Sequence, residues 1–328
     1  MNIFLATLQE YHNDWEGDNF IRRVGDILTS SSRHFQVDDP NLADVILFLE
    51  SNRFKSQHDF SCFQKTSLLQ QFPHKCFALN YADSPVAFLP GLYVCLPRQS
   101  YDPGWTRAIP YPWASPNKEL ATFNPQLDHP EFKLSFRGSI SHPIRQKVLD
   151  LMTVHHELGP SSQIQRWFNH TSDEQLAYLQ EISNSQFVLC PRGIGTSSYR
   201  LYEVLSLGRV PIIISDDWVP PEGVDWNSCS IRIAEGRVGE LPSIIDYFIS
   251  RWPEMSLAAQ NVWRSCFRES VLADFLFDQL EALFFSRVPL NDWSYLEDRW
   301  RSYSFRRQNQ WDLKSKGKRF VSRLRKAN

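Results

Sequence analysis

Arg200 and Glu203 stand three residues apart at the head of an amphipathic run, directly after a small-residue loop, Arg192-Gly193-Ile194-Gly195-Thr196-Ser197-Ser198. On a helix this spacing turns both side chains toward one crevice. A guanidinium there suits a phosphate, and a carboxylate one turn later suits a ribose diol, which is the chemistry of a nucleotide site at the carboxyl end of a parallel sheet. The loop exposes backbone N–H groups, and the helix N-terminus behind it is favourable for an anion. Ser197 and Ser198 are placed to cap the helix, to touch a phosphate, or to do both. The competing reading is a solvent-facing ion pair with no ligand.

Such a pair must be held by flanking elements, and the sequence supplies them. Phe187 to Cys190 is a short apolar run stopped by Pro191, a buried strand. Leu201, Val204, Leu205 and Leu207 give a helical apolar face that ends at Gly208. Val210 to Ile214 is β-branched and apolar, as in a parallel strand covered on both faces. Upstream, strands are predicted at Ile3–Leu8, Val45–Leu49, Cys76–Leu79 and Tyr93–Leu96, with a helix through Phe20, Val24, Ile27 and Leu28. Residues 97–130 hold seven prolines and read as a long ordered loop or interdomain connection. A second α/β pattern follows. Its strand at Lys133–Phe136 ends in Arg137-Gly138, and helices span Ile144–Met152 and Asp173–Ile182, the latter with Ser172 as cap. A strand at Ser230–Ile233 leads to a helix-rich end in which Trp252-Pro253 separates two helices. Strands alternating with helices in both halves predict an α/β protein of two domains with a ligand between them.

The 328 residues suffice for two domains, and 42% hydrophobic content places the chain among globular proteins. A formal net charge of −2 argues against general nucleic-acid binding. The six cysteines include no CxxC pair, so a zinc site is not expected, and Cys76, Cys95, Cys190 and Cys229 read as buried thiols. The first ten residues read as a strand and not a signal peptide, and no apolar run approaches a membrane span. A cytoplasmic protein is the expectation. The basic run 314–328 reads as a solvated helix, or as a weak peripheral contact with an anionic membrane surface. A Rossmann dehydrogenase is disfavoured, because Gly193-Ile194-Gly195-Thr196-Ser197-Ser198 lacks the third glycine of GxGxxG.

The chain resembles the exostosin family of glycosyltransferases. Cys190-Pro191-Arg192-Gly193, Ser198, Arg200-Leu201-Tyr202-Glu203, Gly208, Pro211-Ile212-Ile213-Ile214-Ser215-Asp216-Asp217 and Val224-Asp225-Trp226 carry the likeness. Phe136-Arg137-Gly138 with Arg145, and Gly104 to Pro110, extend it upstream. Roughly residues 90–235 are covered; the family's usual anchor and stem are not matched. The resemblance implies a GT-B fold, two facing Rossmann-like domains with a cleft between them. It divides the chain into an acceptor-side domain (1–125), a nucleotide-sugar donor domain (126–280) and a C-terminal helical segment (281–328) packing back on the first. It implies transfer of a sugar from a nucleotide-diphosphate donor, UDP- or GDP-linked, to a glycan or glycoconjugate, with no cofactor and no metal. A degenerate, non-catalytic nucleotide-sugar or glycan binding module is the alternative.

Without a metal, charge on the leaving diphosphate falls to cations and helix N-termini. Arg137, Arg145, Arg192 and Arg200 are the candidates, with Gly193, Ser197 and Ser198 in the loop, Glu203 for the ribose, and Asp216 and Asp217 for sugar hydroxyls or a turn. Some retaining relatives carry a second glutamate eight positions before the first; here that position is Gly195, which favours inversion. Inversion needs a general base. Glu10, His12, Asp14 and Asp18 cluster after the first strand, and Asp102 lies in the proline-rich stretch; the sequence does not choose among them.

Overall fold

The computed structural model describes residues 1–8, 15–50, 65–112, 117–125, 130–165, 170–287 and 293–308. Contacts divide the chain into two units, residues 1–108 with 277–328, and residues 109–276. Glu10, His12 and Asp14, and the basic run 314–328, lie outside the described residues. Among the described residues no helix is long and apolar enough to cross a membrane.

The first unit is built on six parallel strands: β1 (Asn2–Ala6), β2 (Phe35–Gln36), β3 (Val45–Glu50), β4 (Cys76–Asn80), β5 (Gly91–Tyr93) and β6 (Thr106–Ala108). They lie in the order β2-β1-β3-β4-β5-β6. Every residue of β3 and β4 is buried, as unbroken apolar runs require of central parallel strands. At Gly91 a Cβ would lie 2.0 Å from the Ala78 carbonyl oxygen, so β5 approaches β4 only with glycine there. The connecting helices are α1 (Trp15–Thr29), which buries Phe20, Val24, Ile27 and Leu28, and the short α2 (Ser67–Gln71).

The second unit has a five-stranded parallel sheet: β7 (Phe132–Gly138), β8 (Ser161–Gln163), β9 (Ser185–Pro191), β10 (Val210–Ile214) and β11 (Ile231–Ile233), ordered β8-β7-β9-β10-β11. Its helices are α3 (Pro143–Val154), α4 (Ser172–Ser183), α5 (Tyr199–Ser206), α6 (Trp226–Cys229), α7 (Leu241–Phe248) and α8 (Trp252–Val262). Strand β9 shows how the sheet is covered. Phe187 and Leu189 join one apolar cluster with Leu134, Val148 and Ile212, while Val188 and Cys190 join the other with Leu179 and Val204.

Helix α5 ends in a Schellman arrangement. Arg209 N–H reaches Val204 O and Gly208 N–H reaches Leu205 O, with Gly208 at φ +64°. Three more helices close the chain: α9 (Glu269–Ser286), α10 (Trp293–Arg301) and α11 (Tyr303–Gln308). The unit boundary falls inside α9. Leu296, Trp300 and Phe305 enter the apolar cluster of the first unit with Phe48, Ala78 and Phe88.

Several expected boundaries shift. The units divide at 108/109 and 276/277 rather than at 125/126 and 280/281. The reason lies in the proline-rich stretch. Thr106–Ala108 is edge strand β6, whereas Lys118 N–H bonds Gln175 of α4, and Leu120 and Phe123 pack on that helix's cluster. The strand expected at Tyr93–Leu96 instead occupies Gly91–Tyr93, where pairing to both β4 and β6 is available. Helix α4 is capped by Thr171, not Ser172, in a reciprocal box with Glu174.

Candidate functional site

In the second unit β8 and β9 lie on opposite sides of β7, so the chain reverses its direction of winding between β7 and β9. The crevice outside the carboxyl ends of such a strand pair is where α/β sheets bind ligands. Two strand-to-helix loops meet there. Gly138 to His142 leads from β7 to α3, and Arg192 to Ser198 leads from β9 to α5. Both helices begin at this edge, and Ser198 occupies the N-cap of α5 without a side-chain capping bond.

Arg200, on the first turn of α5, is 8% exposed. Its Nη2 donates to the Arg137 carbonyl oxygen, and its guanidinium lies 4.9 Å from the Phe136 ring centre and 5.8 Å from that of Tyr178. Nε and Nη1 are buried and have no hydrogen-bond partner among the described residues. The same holds for the hydroxyls of Thr196 and Ser197, 3% and 6% exposed, and for Arg192 Nε. Buried donors are almost always satisfied, so several unserved ones in a single loop-and-helix turn call for a ligand rich in acceptor oxygens.

Arg145 enters from α3. Its Nε donates to Arg192 O at 3.0 Å and its Nη1 to Ser139 O at 3.1 Å, so one side chain ties the two loops together. Burial, and then the neighbouring Arg200 cation, push this guanidinium down to about 9. Glycines make the room. A Cβ at Gly193 would stand 3.1 Å from Arg145 Nη2, and one at Gly138 would stand 2.8 Å from Arg200 Nη2. His142 caps α3 by accepting from Ile144 N–H at 3.3 Å. Burial and the Arg192 cation hold it below its ordinary value.

Arg137, Arg145, Arg192, Gly193, Ser197, Ser198, Arg200 and Glu203 therefore fall on the two loops and the strand and helix ends that they join. Arg137 is engaged, with Nε 2.9 Å from Glu181 Oε2. Burial raises Glu181 while the Arg137 charge opposes it. Glu203 is 5% exposed and accepts from Tyr178 OH at 2.6 Å. Burial, then the Glu203 charge, raise that phenol well above its usual range.

Burial would lower Arg200, yet Tyr178, Cys190 and Glu203 bring it above its ordinary value, so it stays a cation. Cys190 is packed, its thiol pushed up to about 12 chiefly by burial. Asp216 accepts from Glu235 N–H at 2.9 Å, and Asp217 lies 3.3 Å from Arg192 Nη1. These two carboxylates hold the rim of the site together.

Of the base candidates, Asp18 falls on α1. Asp102 accepts from Gly104 N–H at 3.0 Å and lies 3.6 Å from Arg299. Sequence reasoning did not single out Thr196, Tyr178, His142 or Glu181. Thr196 sat in the named loop, and His142-Pro143 is a legible helix start. Tyr178 and Glu181 had no local signal, because their roles come from packing across β9.

Each of the two units is an α/β unit on a parallel sheet with a strand reversal, and the second carries an arginine-lined cradle at that reversal. Residues 107–248 match the model of the Exostosin GT47 domain. The chain is 33% identical over 119 residues to an exostosin-1 homolog of Caenorhabditis elegans, covering 35% of this chain and 31% of that protein. It is 43% identical over 72 residues to a "probable glucuronoxylan glucuronosyltransferase" of Arabidopsis thaliana, covering 21% and 16%. The matched stretches span less than a third of these relatives' own length. Among solved structures, an alpha1,3-fucosyltransferase aligns over 87% of this chain and 90% of its own at 13% identity, with a TM-score of 0.45.

Proposed function

We propose that the protein transfers a sugar from a nucleotide-diphosphate donor to a glycan or glycoconjugate acceptor, the second unit holding the donor. The observation that carries this reading is Arg200: a buried cation two of whose nitrogens meet no hydrogen-bond partner among the described residues, in the same loop-and-helix turn as the likewise unpartnered hydroxyls of Thr196 and Ser197, at a strand reversal. As the sugar leaves, negative charge grows on the terminal phosphate. Arg200 and Arg145, fixed in place before the reaction, would stabilise that charge without reorganisation. Glu203 and Tyr178 form a polar pair for the ribose side of the nucleotide.

The exostosin relationship supports the reaction class. Inversion and independence from a metal belong to the same proposal. The rim carboxylates Asp216 and Asp217 are taken up by Glu235 N–H and by Arg192, and the diphosphate's countercharge comes from arginines. The relatives named for glucuronosyl and xylosyl transfer make UDP-glucuronate and UDP-xylose the first donors to try.

The test is thermal shift with UDP, GDP, CDP and ADP, each with Mg²⁺ and with EDTA. A ligand at 100 times its Kd adds about 2.7 kcal/mol of stability. Stabilisation by one nucleoside diphosphate, unchanged by EDTA, is the expected outcome; no shift with any would reject the donor site. Slow release of the diphosphate from its nucleotide sugar separates an enzyme from a binding module.

A further inference from the structure

Asp278 and Glu281 stand three residues apart on α9, so both carboxylates leave the same face of the helix. Opposite them, in the turn that leads into β2, is His34. His34 Nε2 lies 3.0 Å from Asp278 Oδ1, and one ligand atom from each of the three residues falls within 4.8 Å of the other two. All three belong to the first unit, and the segments that carry them, 30–36 and 277–286, are described throughout.

His34 is 1% exposed, and its Nδ1 is buried without a hydrogen-bond partner among the described residues. The polar bonding of the ring therefore falls to Nε2. Asp278 is already held on its other side, with Arg33 Nη2 2.5 Å from Oδ2. A buried imidazole with one nitrogen unserved gains little from a hydrogen bond to a carboxylate that a guanidinium already satisfies. A cation on Nε2 would bond more strongly. It would also offset the repulsion of two carboxylates one turn apart, of which Arg33 neutralises one.

We propose that His34, Asp278 and Glu281 bind one divalent transition-metal ion, with zinc the best fit. The donor set decides the class. An imidazole nitrogen with carboxylate oxygens suits zinc, whereas magnesium and calcium take oxygen ligands. Zinc binds both kinds of atom at about 2.0–2.2 Å, which sets its ligands roughly 3–4 Å apart, so small rotations of the carboxylates close the set. Asp278 is 36% exposed and Glu281 is half-buried, which gives the ion a way in and leaves its fourth position to water. Arg33 fixes the Asp278 carboxylate as outer-shell partners do in metal sites. Bound there, zinc ties α9, which carries the chain back from the second unit, to the turn between α1 and β2. Nothing local in the sequence announces the set, because 244 residues separate His34 from Asp278. None of the three residues takes part in the donor reading, and the proposal does not rest on it.

The test uses the full chain, stripped with EDTA and returned to chelator-free buffer, beside Glu281→Gln and Asp278→Asn. Zinc chloride is titrated by calorimetry, with magnesium chloride for comparison, and hydrogen exchange is followed with and without zinc. One zinc ion per chain is expected, and no magnesium at the same concentration. Glu281→Gln alters a half-buried side chain and should melt where the stripped wild type does. It is expected to weaken zinc by about 100-fold or more, since loss of an outer-shell partner alone costs about 10–100-fold. Asp278→Asn carries the same expectation and serves if Glu281→Gln does not fold. Zinc should also slow exchange over 30–36 and 277–286 in the wild type and not in the variants. No zinc bound by the wild type, zinc bound equally well by wild type and variants, or magnesium bound as well as zinc overturns the proposal.

Discussion

At the scale of single residues, the cradle is a set of donors held ready by their neighbours. Arg200 has one nitrogen on the Arg137 carbonyl and two unserved, so its substitution should affect binding more than folding. Arg200→Ala is expected to weaken UDP or GDP binding by about 10–100-fold, the range of a charge-assisted hydrogen bond to phosphate, measured by calorimetry. An unchanged affinity would remove Arg200 from the donor site. Gly138→Ala tests the same place from below. Its Cβ would fall 2.8 Å from Arg200 Nη2, so the guanidinium must shift, and the affinity should drop although no charge is lost. Glu50, which ends β3, makes a separate prediction for stability. Burial raises its folded-state value from 4.5 to about 8, so its contribution is complete below pH 4.5 and is lost as pH rises toward 8. The melting temperature of the wild type minus that of Glu50→Gln should therefore fall across this window; a constant difference would show that the carboxyl is not raised.

At the scale of elements, the chain's local patterns and its long-range packing contribute differently. The strands β3, β4, β9 and β10 were legible because a short unbroken apolar run has few other uses in a globular chain. The Arg192–Glu203 segment was legible because loop chemistry and helix start are contiguous in sequence. Edge strands β2 and β8 were missed, being two and three residues long and made of Phe-Gln and Ser-Ser-Gln. Glu181 and Tyr178 were missed because helix α4 looks like any amphipathic helix until it is packed against β9. Helix α5 depends on its terminal glycine: Gly208→Ala forces a side chain into φ +64° with its Cβ 2.7 Å from Gln260 Cγ. A loss of about 1–2 kcal/mol in urea unfolding is expected. A loss below about 0.3 kcal/mol would mean that the turn relaxes freely.

At the scale of the whole molecule, the two units differ in how the chain builds them. The second is one continuous stretch, 109–276, whereas the first joins 1–108 to 277–328. Trp300 is fully buried in the first unit, with Nε1 donating to Phe88 O at 2.8 Å and its ring 5.8 Å from that of Phe88. Trp300→Ala should cost about 3–5 kcal/mol, and hydrogen exchange should quicken in β3–β5 more than in β9–β10. Equal quickening in both sheets would mean that the units unfold as one. The discontinuity also sets an order of events on the ribosome. Residues 1–108 emerge first but wait for Leu296, Trp300 and Phe305 while the intervening 109–276 are made, a delay on the order of ten to thirty seconds at common elongation rates. Nascent chains stalled after residue 276 should resist protease over 109–276 and be cut within 1–108, so the half that emerges first is the half that depends on chaperones longest.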